Sequence, residues 1–215
     1  PLEQGAATLQ TVQALLLKLH RRPLIIRNAN APRHWVQTAS LVALGQELGL
    51  NLDPFSWDIP LWEKRMRRRL WWAIYVHDKW ESIGLSRPTH IREDDFRVED
   101  INESDFIEDA DDRVKTSEKE GVKMFIALVK LSKVLSDTLI AFYSVKYLQN
   151  KKPPEEVMAI GIELMNKLNA IESMYFPETC SNKFIGAMVS LRLAKITIAL
   201  SCCRSILYAD NDASY

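Results

Sequence analysis

Apolar side chains recur at spacings of three and four along almost every segment of this chain, and hardly any stretch alternates with a period of two. An α-helix turns every 3.6 residues, so that spacing gathers apolar groups on one side, whereas a half-buried strand needs alternation. With seven Gly and nine Pro as punctuation, the pattern predicts an all-α fold, an irregular multi-helix array with a long central helix and an acidic loop, and no strand. A chain of 215 residues fits one large domain or two small ones and can bury an adequate core; no repeat is visible, and the only linker-like stretch is the acidic loop. Residues 1–215 are therefore read as a single all-helical domain. Because it starts at Pro1 without an initiator Met, it is expected to be a fragment of something longer.

Leu9, Val12, Leu15, Leu16 and Leu19 predict a first helix from about Thr8 to His20, stopped by Pro23. A second is predicted from about Arg33 to Leu48, with Trp35, Ala39, Val42, Ala43 and Gln46 stepping along it and Gly49 as its stop. Pro60 suits the first turn of a third, reaching about Ile83. Its stripe of Trp62, Met66, Leu70, Ala73, His77 and Trp80 predicts one inward face. The acidic stretch from Gly84 to Lys115 reads as loop, anchored by Phe96, Val98, Ile101, Phe106 and Ile107, with a mobile tail from Glu108. A capping box of Ser117 and Glu120 opens a long helix to about Leu148. Two more helices follow, from about Glu155 to Met174 and from about Asn182 to Tyr208.

Charge decides what these helices can serve. With 28 basic and 28 acidic side chains, no global field draws the chain to nucleic acid or an anionic membrane. The run Lys64, Arg65, Arg67, Arg68, Arg69 is local; consecutive helical residues point around the axis, and Leu70, Trp71 and Trp72 bury the helix at once. Ion pairing with nearby carboxylates, Asp94 and Asp95 among them, is favoured over phosphate contact. The most apolar segment, near residues 184–208, carries Arg192, Lys195 and Arg204, which argues against a membrane span and for a soluble chain. Three late cysteines, Cys180, Cys202 and Cys203, suit a reducing compartment.

Candidate chemistry is sparse. His77, Asp78, His90 and Asp94 could in principle gather a zinc or iron ion, but no His pair at helical spacing supports it, and a satisfied core histidine is the better reading of His77. No serine sits in a strand-turn-helix elbow, Cys180 has no nearby histidine in sequence, and no glycine-rich phosphate loop exists. The paired acids Asp94 and Asp95, or Asp111 and Asp112, lie in a generally acidic loop.

Glu63 to Phe96, "EKRMRRRLWWAIYVHDKW" followed by "SRPTHIREDDF", resembles the most recognisable stretch of the fungal-specific transcription factor domain, the regulatory middle homology region of fungal binuclear zinc-cluster regulators. Arg68, Arg69, Trp71, Trp72, Asp78, Arg87, Pro88, Ile91, Asp94 and Asp95 carry the resemblance. Upstream, "TLQTVQALLLKLHR" and "HWVQTASLVALGQELGLNLD" are similar to the family's preceding helices, so the match runs from about Leu2 to Phe106. One departure is Ser86, where the family usually has Gly before Arg-Pro.

The resemblance implies a non-enzymatic nuclear domain that controls RNA polymerase II transcription, as part of an activator, through effector binding or intramolecular inhibition. It implies a buried scaffold in which the Trp pair packs into the array and the arginines tie the helix to the following loop. DNA contact and zinc would belong to a separate six-cysteine module, which three cysteines without a C-x-x-C pair cannot build. Partners are then the transcription machinery or co-regulators, a homodimer, or a small-molecule effector beside Trp72, Tyr75, Asp78, Arg87 and the long helix; no membrane and no cofactor of this chain's own is expected. The alternatives are a protein-interaction or dimerisation scaffold of the same domain type, and a metal-dependent helical enzyme using His77, His90 and Asp94.

Overall fold

A computed structural model describes residues 7–20, 33–106, 116–176 and 182–212. They are helical with no strand; the sole β feature among them is an isolated bridge between Leu52 and Arg97. The expected acidic tail from Glu108 to Lys115, Ile107, Asp111, Asp112, Cys180 and the Ser117 side chain lie outside the described residues. The chain divides into two compact units, 1–112 and 113–215.

In the first unit α1 (Leu9–His20), α2 (Arg33–Glu47) and α3 (Leu61–Leu85) pack on one another. The phase expected for α2 is off by about one residue. Its inward face is Thr38, Leu41, Val42 and Gly45, while Ala43 and Gln46 are exposed. Gly49 adopts φ 69°, the left-handed conformation that ends the helix at little steric cost.

For α3 a single inward stripe is too narrow. From Leu70 to Lys79 every residue but Ala73 is buried, whereas Trp62 is half exposed. Residues 86–106 fold back over the side of α3 that the stripe left to solvent, using two short 3₁₀ turns, Glu93–Asp95 and Glu103–Phe106. That loop meets the α2–α3 connection where Asp53 N–H donates to Arg97 O (2.7 Å) and Arg97 N–H to Asn51 O (2.8 Å).

The turn that sends the chain back is a Schellman motif. Arg87 N–H donates to Ser82 O and Ser86 N–H to Ile83 O, and the Ser82 hydroxyl closes on Arg87 O. Ser86 sits at φ 53°, the one positive-φ non-glycine among the described residues. The departure noted in the sequence thus falls where left-handed backbone is required. Ser86→Gly should relieve about 1 kcal/mol of Cβ strain, partly offset by unfolded-state entropy. A net stabilisation of about 0.5 kcal/mol in urea unfolding is expected; destabilisation would show that the Ser82–Arg87 closure, not the backbone, governs the turn.

In the second unit α4 (Thr116–Phe142), α6 (Pro154–Tyr175) and α7 (Ile185–Asp212) pack pairwise as a three-helix bundle, with the short α5 (Val145–Gln149) after α4. The long helix ends sooner than expected. Ser144 is an N-cap, accepting from Tyr147 N–H (3.2 Å), so α5 is a separate turn. Most of the α4 circumference is buried, including Ser132 and Thr138, whose hydroxyls donate to Leu128 O and Val134 O one turn back. Thr138 also contacts Cys202 Sγ (3.6 Å), and burial raises the Cys202 thiol pKa. Lys167 pairs with Asp137 (3.1 Å) and Glu163 (3.0 Å), tying α6 to α4; Lys195 pairs with Glu172, tying α7 to α6.

Candidate functional site

The basic run opens α3 under the α2–α3 connection, and its side chains turn onto the chain itself. Lys64 Nζ donates to Phe55 O (2.9 Å). Arg67 pairs with Glu63 (2.8 Å), donates to Leu48 O (3.0 Å) and lies over the Trp57 ring. Arg68 makes a fork on Asp53, through Nε (3.2 Å) and Nη2 (3.1 Å), and reaches Asp105 through Nη1 (2.7 Å). Arg69 stacks on Phe106.

One guanidinium therefore joins the α2–α3 connection to the end of the long loop. The expected partners Asp94 and Asp95 are instead exposed in a 3₁₀ turn. The reason is reach. Arg68 is ten residues N-terminal to Asp78, about 15 Å along the helix at 1.5 Å per residue, and the carboxylates folded to its level are Asp53 and Asp105. Burial pushes the Asp53 carboxyl up, but Arg68 and the backbone N–H groups of Glu99 and Phe55 outweigh it and leave the pKa lowered.

Nearly three turns further along, Asp78 is fully buried and accepts three hydrogen bonds from the returning loop. His90 N–H (2.9 Å) and His90 Nδ1 (2.9 Å) reach one oxygen, and Ile91 N–H (3.1 Å) the other. Lys79, buried to 1% exposure, donates to Ile91 O (2.7 Å), pairs with Glu93 (3.1 Å) and sits over the Tyr75 ring. The Tyr75 hydroxyl donates to the same Glu93 (2.9 Å). Sequence reasoning missed Lys79 because solvent is the default place for lysine; its signal was adjacency to Asp78 in "HDKW".

Between these two polar clusters lies an aromatic one. Phe96 from the loop packs against Trp71, Trp72 and Tyr75 at ring separations of 5.4, 5.9 and 5.6 Å. Both tryptophans have no exposed surface. Trp72 Nε1 donates to Glu99 O (3.0 Å), while Trp71 Nε1 is buried without a protein partner.

Of the four residues expected beside an effector, Trp72, Tyr75 and Asp78 are buried, with polar groups bonded to the loop, and Arg87 is exposed. The backbone of Arg87, rather than its guanidinium, is what the turn holds. Pro88 is exposed too, its carbonyl accepting weakly from Trp35 Nε1 (3.4 Å). The long helix α4 belongs to the second unit. Among the described residues no group of three His, Cys, Asp or Glu side chains comes together as a metal site; His90 is turned to Asp78 and Asp94 to solvent.

His77 faces α2, within 3.2 Å of the Thr38 hydroxyl and against the His20 ring. Burial, with a smaller push from His20 and His34 against a pull from Asp78, lowers its pKa to about 4. The unfolded chain, with His near 6.5, then binds the extra proton first, so stability should fall as pH drops from about 6.5 toward 4. The loss should be on the order of 2–3 kcal/mol. Denaturant unfolding at pH 7 and pH 5, with and without His77→Gln, checks this: the variant should lose most of the slope, and an unchanged slope would assign it elsewhere.

The family model described as the fungal specific transcription factor domain matches residues 1–200. The chain belongs to that family. An uncharacterized transcriptional regulatory protein of Schizosaccharomyces pombe is 32% identical over 175 residues, 79% of this chain and 25% of its own length. Cutinase transcription factor 1 alpha of Fusarium vanettenii is 34% identical over 114 residues, 52% of this chain and 12% of its own. Transcriptional activator protein DAL81 of Saccharomyces cerevisiae is 27% identical over 201 residues, 76% of this chain and 20% of its own. The chain thus spans a quarter or less of these relatives. No solved structure matches it. As a fungal specific transcription factor domain it is a transcription regulator domain, and α3 with its returning loop carries the residues of the sequence resemblance.

Proposed function

We propose that this fungal specific transcription factor domain acts in the nucleus as the regulatory, non-catalytic part of a zinc-cluster regulator, restraining its transcriptional output by intramolecular contact. Zinc and DNA contact are assigned to a separate six-cysteine module. The observation that carries the reading is the inward commitment of Lys64, Arg67, Arg68 and Arg69 to the chain's own carboxylates, carbonyls and rings. A phosphate-gripping helix needs such side chains free to displace counterions.

The same geometry favours intramolecular control over an effector held at Trp72, Tyr75, Asp78 and Arg87. A ligand there would have to displace protein partners from three buried groups, and it could shift the domain only by its differential affinity for the opened state. The α3 motif acts in this reading as a latch, holding 86–106 against the helix.

The test has two arms. Purified chain should show no titratable binding to duplex DNA in low salt. Fused between a heterologous DNA-binding module and an activation segment, it should lower reporter output in yeast, and Arg68→Ala should restore output at equal protein level. Salt-sensitive DNA binding would sink the first part of the reading, and a fusion with undiminished output the second.

A further inference from the structure

The bundle face of α7 is its buried stripe, Met188, Leu191, Ala194, Ile198 and Cys202. Its other side should be polar if it simply met water. Instead Val189, Leu193, Ile196, Leu200, Cys203 and Leu207 are exposed along one line, spaced four, three, four, three and four. That is a heptad seam across three repeats, with leucine at every seventh position. The aliphatic members are 49–65% exposed. We propose that this seam is a self-association surface, on which α7 of a second copy packs antiparallel about a two-fold axis.

Three features of the seam select a second copy. No seam position is charged, so a chain meeting itself buries no like charges. The pattern is also its own complement in size. With the axis beside residue 198, Ile196 faces Leu200 of the partner subunit, Leu193 faces Cys203 of the partner subunit, and Val189 faces Leu207 of the partner subunit. Every layer then sets a leucine against a smaller or β-branched group, whereas a parallel pairing would stack like on like, and leucine at a with β-branched residues at d disfavours two parallel strands.

The flanks fit as well. Ser190 and Thr197 return their hydroxyls to Gly186 O and Leu193 O of their own helix, leaving a dry edge. Arg192 comes level with Arg204 of the partner subunit but on the opposite flank of the seam, each stands about 18 Å along the axis from its own copy at 1.5 Å per residue, and Arg204 is folded over Tyr208. The seam is about 27 Å long at 1.5 Å per residue, and covering it on two copies buries on the order of 1,000 Å² in total, the low end of specific interfaces. A dimer with micromolar affinity is the expectation.

The segment Ile185–Ala209 is also long and apolar enough, at mean hydropathy 1.5, to pass for a membrane span by length and composition. The experiment must therefore separate a protein partner from lipid. Sedimentation velocity of the full chain from about 1 to 100 μM should show a monomer–dimer equilibrium. Leu200→Glu should weaken it on the order of 100-fold, as replacing a central apolar contact by charge does, with unchanged helicity because the position is exposed in the single copy.

Leu193→Cys, in a Cys180→Ser background, should cross-link to Cys203 of the partner subunit under oxidised glutathione. A chain that stays monomeric at 100 μM, a dimer indifferent to Leu200→Glu, or co-flotation with neutral vesicles in place of dimer would overturn the proposal. Cross-linking through Cys203 alone, with none at the introduced thiol, would overturn the antiparallel register. None of these outcomes depends on reporter output, so the regulatory reading and this one can fail separately.

Discussion

Asp78→Ala is expected to destabilise the first unit by about 3–5 kcal/mol. The carboxylate is fully buried and takes three hydrogen bonds from His90 and Ile91. Truncation strips two backbone N–H groups and an imidazole donor of their acceptor and leaves Lys79, 3.9 Å away, with less counter-charge. Unmet buried donors cost about 1–3 kcal/mol each, and breaking a buried charged network falls in the same total range. Asp78→Asn keeps one acceptor oxygen but turns an N–H₂ toward donors, so about 2 kcal/mol is expected. All six tryptophans, Trp35, Trp57, Trp62, Trp71, Trp72 and Trp80, lie in the first unit. Tryptophan fluorescence in urea therefore follows that unit alone, and a loss below about 1 kcal/mol for Asp78→Ala would mean the loop is held by other contacts.

Trp71→Ala and Trp72→Ala should each cost about 3–5 kcal/mol, as large-to-small changes in a packed core do. Each indole has no exposed surface and stands against Phe96, which holds the loop to α3 from the apolar side. In a unit of this size, 4 kcal/mol lowers the melting temperature by on the order of 15 °C. The two sites should part company when changed to Phe. Trp72→Phe also gives up the bond to Glu99 O, whereas Trp71→Phe removes an N–H that has no protein partner. A difference of about 1 kcal/mol, with Trp72→Phe the worse, is expected. Equal losses would show that the Glu99 bond contributes nothing net.

The sequence is most legible where local periodicity and packing agree. α1, α2, α3, α6 and α7 have the expected extents to within a few residues, since apolar spacing and Pro or Gly stops are local signals. The break at Ser144 is not legible in the sequence, because a serine on a polar edge and a serine that caps a new turn look alike in one dimension. The stripe of α3 was legible as a face but not as a helix buried nearly all round, because its second cover is a loop beginning after its end. Trp71 and Trp72 were legible as buried scaffold. Arg87 was not legible as exposed, since its importance to the turn lies in its backbone, which any residue supplies.

Partner choice marks the same boundary in the polar site. The sequence showed that arginines and carboxylates would pair inside the chain, because a neutral chain with a basic run beside two tryptophans leaves them few alternatives. It could not show that Arg68 takes Asp53 and Asp105 while Glu93, rather than Asp94 or Asp95, turns inward to Lys79 and Tyr75. By itself the sequence determined the helical class, the helix extents and the family of this chain, because periodicity, turn residues and motif spacing are properties of neighbours. Only the tertiary structure decided which carboxylates pair with Arg68, that Lys79 is buried, and that the heptad face of α7 is left outward, because each depends on where a distant segment returns.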